Sequence, residues 1–164
     1  MSTSLGELSA SPAISVILPV LNEEPHLDES VSAILSQDYQ GIFEVILALG
    51  PSQDRTNEIA NALAARDNRV KLVSNPTGKT AAGLNLAIAS SQSSVIVRVD
   101  GHAKIPNNYL SLAIKVLRET GAVNVGGVMA AEGISKFEKA VARAMRSPLG
   151  VGASRFHTGG ESGE

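Results

Sequence analysis

Residues 14–20 read ISVILPV, and five of the seven are Ile, Val or Leu. A run this short and this rich in branched side chains suits a strand rather than a helix. Val16, Ile17 and Leu18 are consecutive, so the run does not alternate apolar with polar. That implies a strand buried on both faces, as in parallel sheets covered by helices.

The pattern repeats outward from there. Leu27, Val31, Ile34 and Leu35 recur at helical spacing. FEVILAL at 43–49 predicts a second strand. A second helix fits 54–66, with Ile59 and Leu63 inward and Ser52 or Asp54 as its cap. VKLVS at 70–74 predicts a third strand, and a helix over 79–90 places Ala81, Leu84 and Ile88 on one face. Residues 94–99 predict the fourth strand. Pro106 then suits a first helical turn, Leu110, Ile114 and Leu117 continue that helix, and Gly121 stops it. Strand and helix thus alternate four times with short connections, which defines an α/β fold with a mostly parallel sheet flanked by helices.

Past Gly121 the pattern changes. VNVGGVM at 123–129 predicts one more strand. Residues 133–147 form an amphipathic pattern with Ile134, Phe137, Val141 and Met145 on one face. That helix packs on its own domain or lies on a membrane surface or partner. PLGVGASRFHTGGESGE, 148–164, has no core pattern.

Composition narrows the function. The 164 residues suit one domain, and the net charge of -2 with 3% aromatics gives no basic or stacking surface for nucleic acid. Without cysteine there are no disulfides or thiolate metal sites, which fits a reducing compartment. No apolar run reaches the length of a membrane span, and residues 1–13 read as a polar leader without signal-peptide features. The expectation is a soluble, cytoplasmic chain.

Ligands of parallel α/β sheets bind beyond the carboxyl ends of the strands. The loops there contain Pro19, Asn22, Glu23 and Glu24; then GPSQDRT, 50–56; then NPTGKT, 75–80; then DGHAKIP, 100–106. Asp100 and His102, two apart at a strand end, can put a carboxylate and an imidazole on one side of a turn. Magnesium and manganese take carboxylates and bridge phosphates, and imidazole suits manganese better. On spacing alone, an Asp capping a turn beside a surface histidine is the commoner reading. Lys79 is either a solvated lysine or a phosphate ligand beside a helix amino end. GPSQDRT is not a P-loop, and GVGAS from 150 lacks both the third glycine and the preceding strand of a dinucleotide fingerprint.

Taken in order, ISVILPVLNEE, SQDRTNEIA, NPTGKTAAGLNLAI and VIVRVDGHAKIPNNYL resemble the family 2 glycosyltransferases of the GT-A fold. The likeness is greatest to the bacterial exopolysaccharide, succinoglycan-type subgroup, and NVGGVM with SPLGVGASRFHTGG extends it to the end of the chain. The resemblance implies a nucleotide-sugar-binding domain over 14–130, followed over 131–164 by the start of an acceptor region. It implies a nucleotide-diphosphate sugar donor, a glycan or lipid-linked acceptor, Mn2+ or Mg2+, and inverting transfer. Pro19, Val20, Asn22, Glu23, Gly50, Gly78, Lys79, Asn85 and Asp100 would bind the nucleotide, and Asp100 with His102 the metal.

Two departures accompany the likeness. Leu49 and Gly50 stand where many members carry two acids, one of which meets the base. The family's general base, a carboxylate that deprotonates the acceptor, is expected beyond Glu164. The chain therefore reads as an amino-terminal part of a longer enzyme, with membrane contact open to the remainder. Alternatives are a catalytically incomplete nucleotide-binding fragment and, remotely, a nucleotidyltransferase; the acidic, glycine-free LNEEPHL loop argues against the latter.

Overall fold

The computed structural model describes residues 8–127. The chain divides into two units, Met1–Thr120 and Gly121–Glu164, and the fold below is that of the first. Its elements are β1 (Ile14–Val20), α1 (Leu27–Leu35), β2 (Phe43–Leu49), α2 (Thr56–Arg66), β3 (Val70–Ser74), α3 (Thr80–Ser90), β4 (Val95–Arg98) and α4 (Tyr109–Thr120). The four strands form one parallel sheet in the order β3-β2-β1-β4.

That order follows from the connections. The chain steps outward from β1 to β2 to β3, then returns across the sheet to pair β4 with the other side of β1. Parallel crossovers are right-handed, so reversing the direction of travel reverses the face on which the helix lies. Leu27, Val31 and Ile34 of α1, Ala60 and Leu63 of α2, and Leu110 and Ile114 of α4 share one core with Val16, Leu18, Val45 and Leu47. On the opposite face α3 contributes Ala87 and Leu84 to a smaller cluster with Ile17, Ile46, Ala48 and Val73. Fully burying each aliphatic side chain contributes about 1.5–3 kcal/mol, so the first face holds most of the apolar stabilisation.

The central strands are buried on both sides as the missing alternation implied. The edge strands are not: β3 and β4 each bury their first residue and expose others, and Ile96 and Arg98 face outward. An edge strand has one neighbour, and among the described residues β4 pairs with β1 alone.

Four features differ from expectation. In α3 the buried residues are Gly83 and Ala87; Ala81 is exposed and Ile88 is 47% exposed. Small residues face the sheet because helix and strands lie close: a Cβ on Gly83 would stand 2.8 Å from Asn75 Nδ2 and 3.3 Å from the Ala48 Cβ. Pro106 precedes α4 instead of opening it. Its carbonyl accepts the Tyr109 N–H at 3.0 Å in a turn, and the helix start is held from α1's end by buried Gln37. That amide donates to the Pro106 carbonyl at 2.7 Å and accepts the Leu110 N–H at 3.0 Å. Helix α2 begins at Thr56, not 54, because Asp54 lies outside it and accepts the Thr56 N–H at 3.0 Å. Within the expected strand at 123–129, residues 123–127 form none; Val123 is 80% exposed and Gly126 and Gly127 bring no side chain to bury.

Gly121 ends α4 as expected, with φ +66°. Residues 8–13 are less detached than a leader implies, since Leu8 packs on the core and Pro12 is buried. The helix expected at 133–147 and the loop after it lie outside the described residues. Among the described residues no helix is long and apolar enough to cross a membrane.

Candidate functional site

The return of the chain from β3 to β4 makes the boundary between β1 and β4 a topological switch point, where the loops leaving adjacent strands diverge and open a crevice. The residues after β1 and after β4 therefore flank the place where a ligand of this fold binds.

The first loop is fixed by the second. Three consecutive N–H groups after β1 each donate to a side chain of the 52–56 segment. Asn22 donates to Ser52 Oγ at 3.1 Å, Glu23 to Thr56 Oγ1 at 2.8 Å and Glu24 to Asp54 Oδ2 at 3.2 Å. The reverse bonds run from the Gln53 N–H to Asn22 Oδ1 at 2.8 Å and from the Arg55 N–H to Glu24 Oε2 at 3.0 Å. Asn22 takes φ 55° to join this lattice, a conformation asparagine tolerates better than most residues. Ser52, Asp54 and Thr56, spaced two apart, thus act as a clamp on the first loop. Sequence reasoning gave Asp54 only its helix cap. The signal was the match of three oxygen-bearing side chains to three unpaired amides after a strand.

Asp54 of the clamp and Glu24 of the loop it holds both titrate low. The Thr56 hydroxyl, above all, holds Asp54 below its ordinary value. The Arg55 backbone N–H is the main cause for Glu24, with the Arg55 side chain second.

Gly50 and Gly78 bring the second and third loops together under Leu21. The Gly78 Cα lies 3.2 Å from where a Cβ on Gly50 would stand, and the Gly50 N–H donates to the Val20 carbonyl at 2.8 Å. Buried Asn75 shapes the third loop by donating to the Lys79 carbonyl at 3.1 Å and accepting the Thr77 hydroxyl at 3.0 Å. The Lys79 side chain is left exposed just before α3. A cleft of about 420 Å³ opens at the carboxyl ends of β2 and β3, lined by Gly50, Pro51, Asn57, Leu72 and Ser74. Asn57 donates to the Gly50 carbonyl at 3.3 Å. Another cleft, of about 470 Å³ and including Tyr39 and Arg118, lies before the amino ends of β1 and β2 and contains none of the candidate residues.

Beyond β4 the chain makes a tight turn, closed by the Ala103 N–H donating to the Asp100 carbonyl at 2.9 Å. The turn hangs on α1, where the Ser30 hydroxyl donates to the Ala103 carbonyl at 2.8 Å. The capping alternative for Asp100 is therefore carried by its backbone, not its side chain. The carboxylate instead receives Arg98 Nε at 3.1 Å and Nη2 at 3.0 Å, both on Oδ1. His102 is exposed, and its Nδ1 lies 2.9 Å from Glu23 Oε1.

The fold thus gathers Glu23, Asp100 and His102 at the switch point, with Asn22 beside them. Pro19 and Val20 end β1 inside the sheet. Gly50, Gly78 and Lys79 sit along the β2–β3 side. Asn85 is apart: it is exposed in the second turn of α3 and bonds to none of these loops among the described residues. Asp100 and His102 are donors of the kind a divalent cation takes. Oδ2 of Asp100 is free of the guanidinium, and the imidazole is exposed. Among the described residues no three His, Cys, Asp or Glu side chains cluster closely enough to hold an ion. A cation here would complete its shell with phosphate oxygens and water, the usual manner of Mg2+ and Mn2+.

A mostly parallel sheet flanked by helices is the architecture of the GT-A glycosyltransferases. The chain belongs to glycosyl transferase family 2, whose model matches residues 15–161. It is 34% identical over 158 residues to the succinoglycan biosynthesis protein ExoA of Rhizobium meliloti, covering 95% of this chain and 48% of that protein. It is 31% identical to glycosyltransferase AglE of Haloferax volcanii, covering 73% of this chain and 40% of that one. The chain thus spans about half or less of the length of these relatives. Among solved structures, the mannosyltransferase PcManGT of Pyrobaculum calidifontis, in complex with GDP-Man and Mn2+, superposes with a TM-score of 0.59 at 30% identity, over 65% of this chain and 32% of that one. Staphylococcus aureus TarS 1–349 with UDP gives 0.60 at 21% identity, over 73% and 39%, and bears on the fold alone.

Proposed function

We propose that the loops after β1–β4 bind the nucleotide-diphosphate sugar donor of an inverting glycosyl transfer in exopolysaccharide or cell-surface glycan synthesis, with a glycan or lipid-linked acceptor. The observation that carries this reading is the Asp100–Gly101–His102 turn facing the clamped first loop across the switch point. The relation to a mannosyltransferase seen with GDP-Man and Mn2+ supports the donor class and the cation.

In this reading the base enters the cleft by Gly50 and Asn57. Leu49 and Gly50 bring no carboxylate there, so the base is met by amide and backbone groups. Lys79, exposed before α3, reaches a phosphate together with the amino end of that helix. Asp100 and His102 hold Mn2+ or Mg2+, which supplies Lewis-acid stabilisation of the departing diphosphate. Arg98 adds a second positive charge beside Asp100, 3.0 Å from its carboxylate. The clamp keeps Asn22 and Glu23 in place while the donor binds, so that less ordering is left to the ligand.

Thermal unfolding with and without UDP or GDP and Mn2+ tests the reading. A nucleotide present at 100 times its Kd stabilises the fold by about 2.7 kcal/mol, which raises the melting temperature by several degrees. No shift with any nucleoside diphosphate, with or without Mn2+, would contradict it.

A further inference from the structure

We propose that Glu23 is a positioning residue for His102. Its carboxylate accepts the imidazole Nδ1–H and thereby presents Nε2, with its lone pair outward, to a divalent cation. The proposal rests on the metal reading above and assigns Glu23 a role other than contact with the nucleotide.

The two partners are built differently. Glu23 is anchored on every side. Its N–H donates to Thr56 Oγ1 at 2.8 Å, and its carbonyl accepts the His26 and Leu27 N–H groups at 3.0 and 2.9 Å. Its side chain is only 18% exposed, whereas that of His102 is 62% exposed. It also lies flat against Gly101, where a Cβ would stand 2.9 Å from Glu23 Cγ and 3.2 Å from Cδ. Only glycine between Asp100 and His102 lets the turn close over this carboxylate. The fixed partner is therefore the acid, and the presented partner is the ring.

The chemistry follows from the donor inventory. An ionised carboxylate only accepts, and a neutral imidazole has one N–H and one lone pair. With Glu23 Oε1 2.9 Å from Nδ1, the proton sits on Nδ1 and the lone pair on Nε2. A carboxylate behind a histidine fixes the ring's tautomer and orientation and raises its basicity as a ligand. Asp100 needs no such support from Glu23, because Arg98 already holds it from its own strand.

Two measurements on the chain test this together. The first is long-range 1H–15N NMR of the metal-free protein near pH ~8.5, above the ordinary imidazole range of about 6.5. His102 is identified among the three histidines by its loss in His102→Ala. The proton is expected on Nδ1 in the wild type, and a mixture of tautomers in Glu23→Ala. The second is titration of Mn2+ in the presence of UDP or GDP. Glu23→Ala should weaken Mn2+ about 10–100-fold, the usual cost of removing such a support. Glu23→Gln, whose amide oxygen still accepts from Nδ1, should fall between, and His102→Ala should lose at least as much as Glu23→Ala. A wild-type proton on Nε2 overturns the proposal. Unchanged Mn2+ affinity in both Glu23 variants, with His102→Ala weakened, overturns it while the metal reading stands. Unchanged affinity in His102→Ala removes the metal reading and the proposal with it. Lost affinity in Glu23→Ala with the proton still on Nδ1 would make Glu23 a direct ligand, which also overturns it.

Discussion

The loops after β1 and β2 and the loops after β3 and β4 stand at the same edge of one sheet but are built on opposite terms. In the first pair nearly every polar group is spent on the other loop: three amides and two side chains of Asn22–Glu24 are bonded to the 52–56 segment. In the second pair each turn is closed within its own loop, by backbone bonds and by the Asn75 side chain, and the Lys79 and His102 side chains are left exposed. The difference teaches where stability ends and ligand binding begins. Spent polar groups hold shape, while exposed ones are available to a ligand.

The comparison breaks most visibly at Thr56, which is fully buried. Thr56→Val keeps the shape but leaves the Glu23 N–H without its acceptor, at a cost of about 1–3 kcal/mol. The melting temperature should fall by several degrees, together with the affinity for nucleotide. A Thr56→Val protein as stable as the wild type would show that the clamp does not hold the loop.

Next in size is Gly101→Ala, where the added Cβ meets Glu23 Cγ at 2.9 Å. Crowding of this kind costs about 1–3 kcal/mol, and here the displaced atoms belong to the Glu23–His102 pair. Urea unfolding should register the loss, and Mn2+ affinity should fall with it.

Acid should act on the first pair of loops. Asp54 and Glu24 are held low, mainly by the Thr56 hydroxyl and the Arg55 N–H respectively. Groups depressed in the folded state stabilise it above the unfolded carboxylate value of about 4 and lose that contribution as pH falls through their native values. The urea midpoint should therefore hold near neutrality and drop below pH ~4. In Thr56→Val the drop should be shallower, because the main cause of the Asp54 shift is gone. An equal drop in both proteins would contradict this origin.

The smallest stability effect belongs to the second pair. Lys79→Ala should move the unfolding free energy by no more than about 0.5 kcal/mol and still weaken nucleotide binding. A large loss of stability with unchanged binding would reverse the contrast drawn between the loops.

Much of this was legible in the sequence, for identifiable reasons. The apolar runs at 14–20 and 43–49, which do not alternate with polar residues, revealed strands buried on both faces, and the helical repeats after each gave α1 and α2 their inward residues. The exposure on the edge strands, at Lys71 and Ser74 of β3 and at Ile96 and Arg98 of β4, escaped because a local run does not say which strands have a neighbour on one side only. The inward face of α3 was misread because apolar periodicity favours large residues, and the helix meets the sheet through Gly83 and Ala87. At the site, the Asp100–His102 pairing was visible as spacing. The Glu23–His102 contact joins residues 79 apart, and the Thr56 clamp joins loops about 30 apart. Such bonds depend on strand order, which no local pattern encodes.

The most direct test of the central claim is calorimetric titration of UDP and GDP into wild type and Asp100→Ala, each in Mn2+ and in EDTA. The site described here predicts that Mn2+ strengthens binding of at least one nucleotide to the wild type. It also predicts that Asp100→Ala, folded and equally stable, binds as the wild type does in EDTA. Equal affinities for wild type and Asp100→Ala in Mn2+ would contradict it.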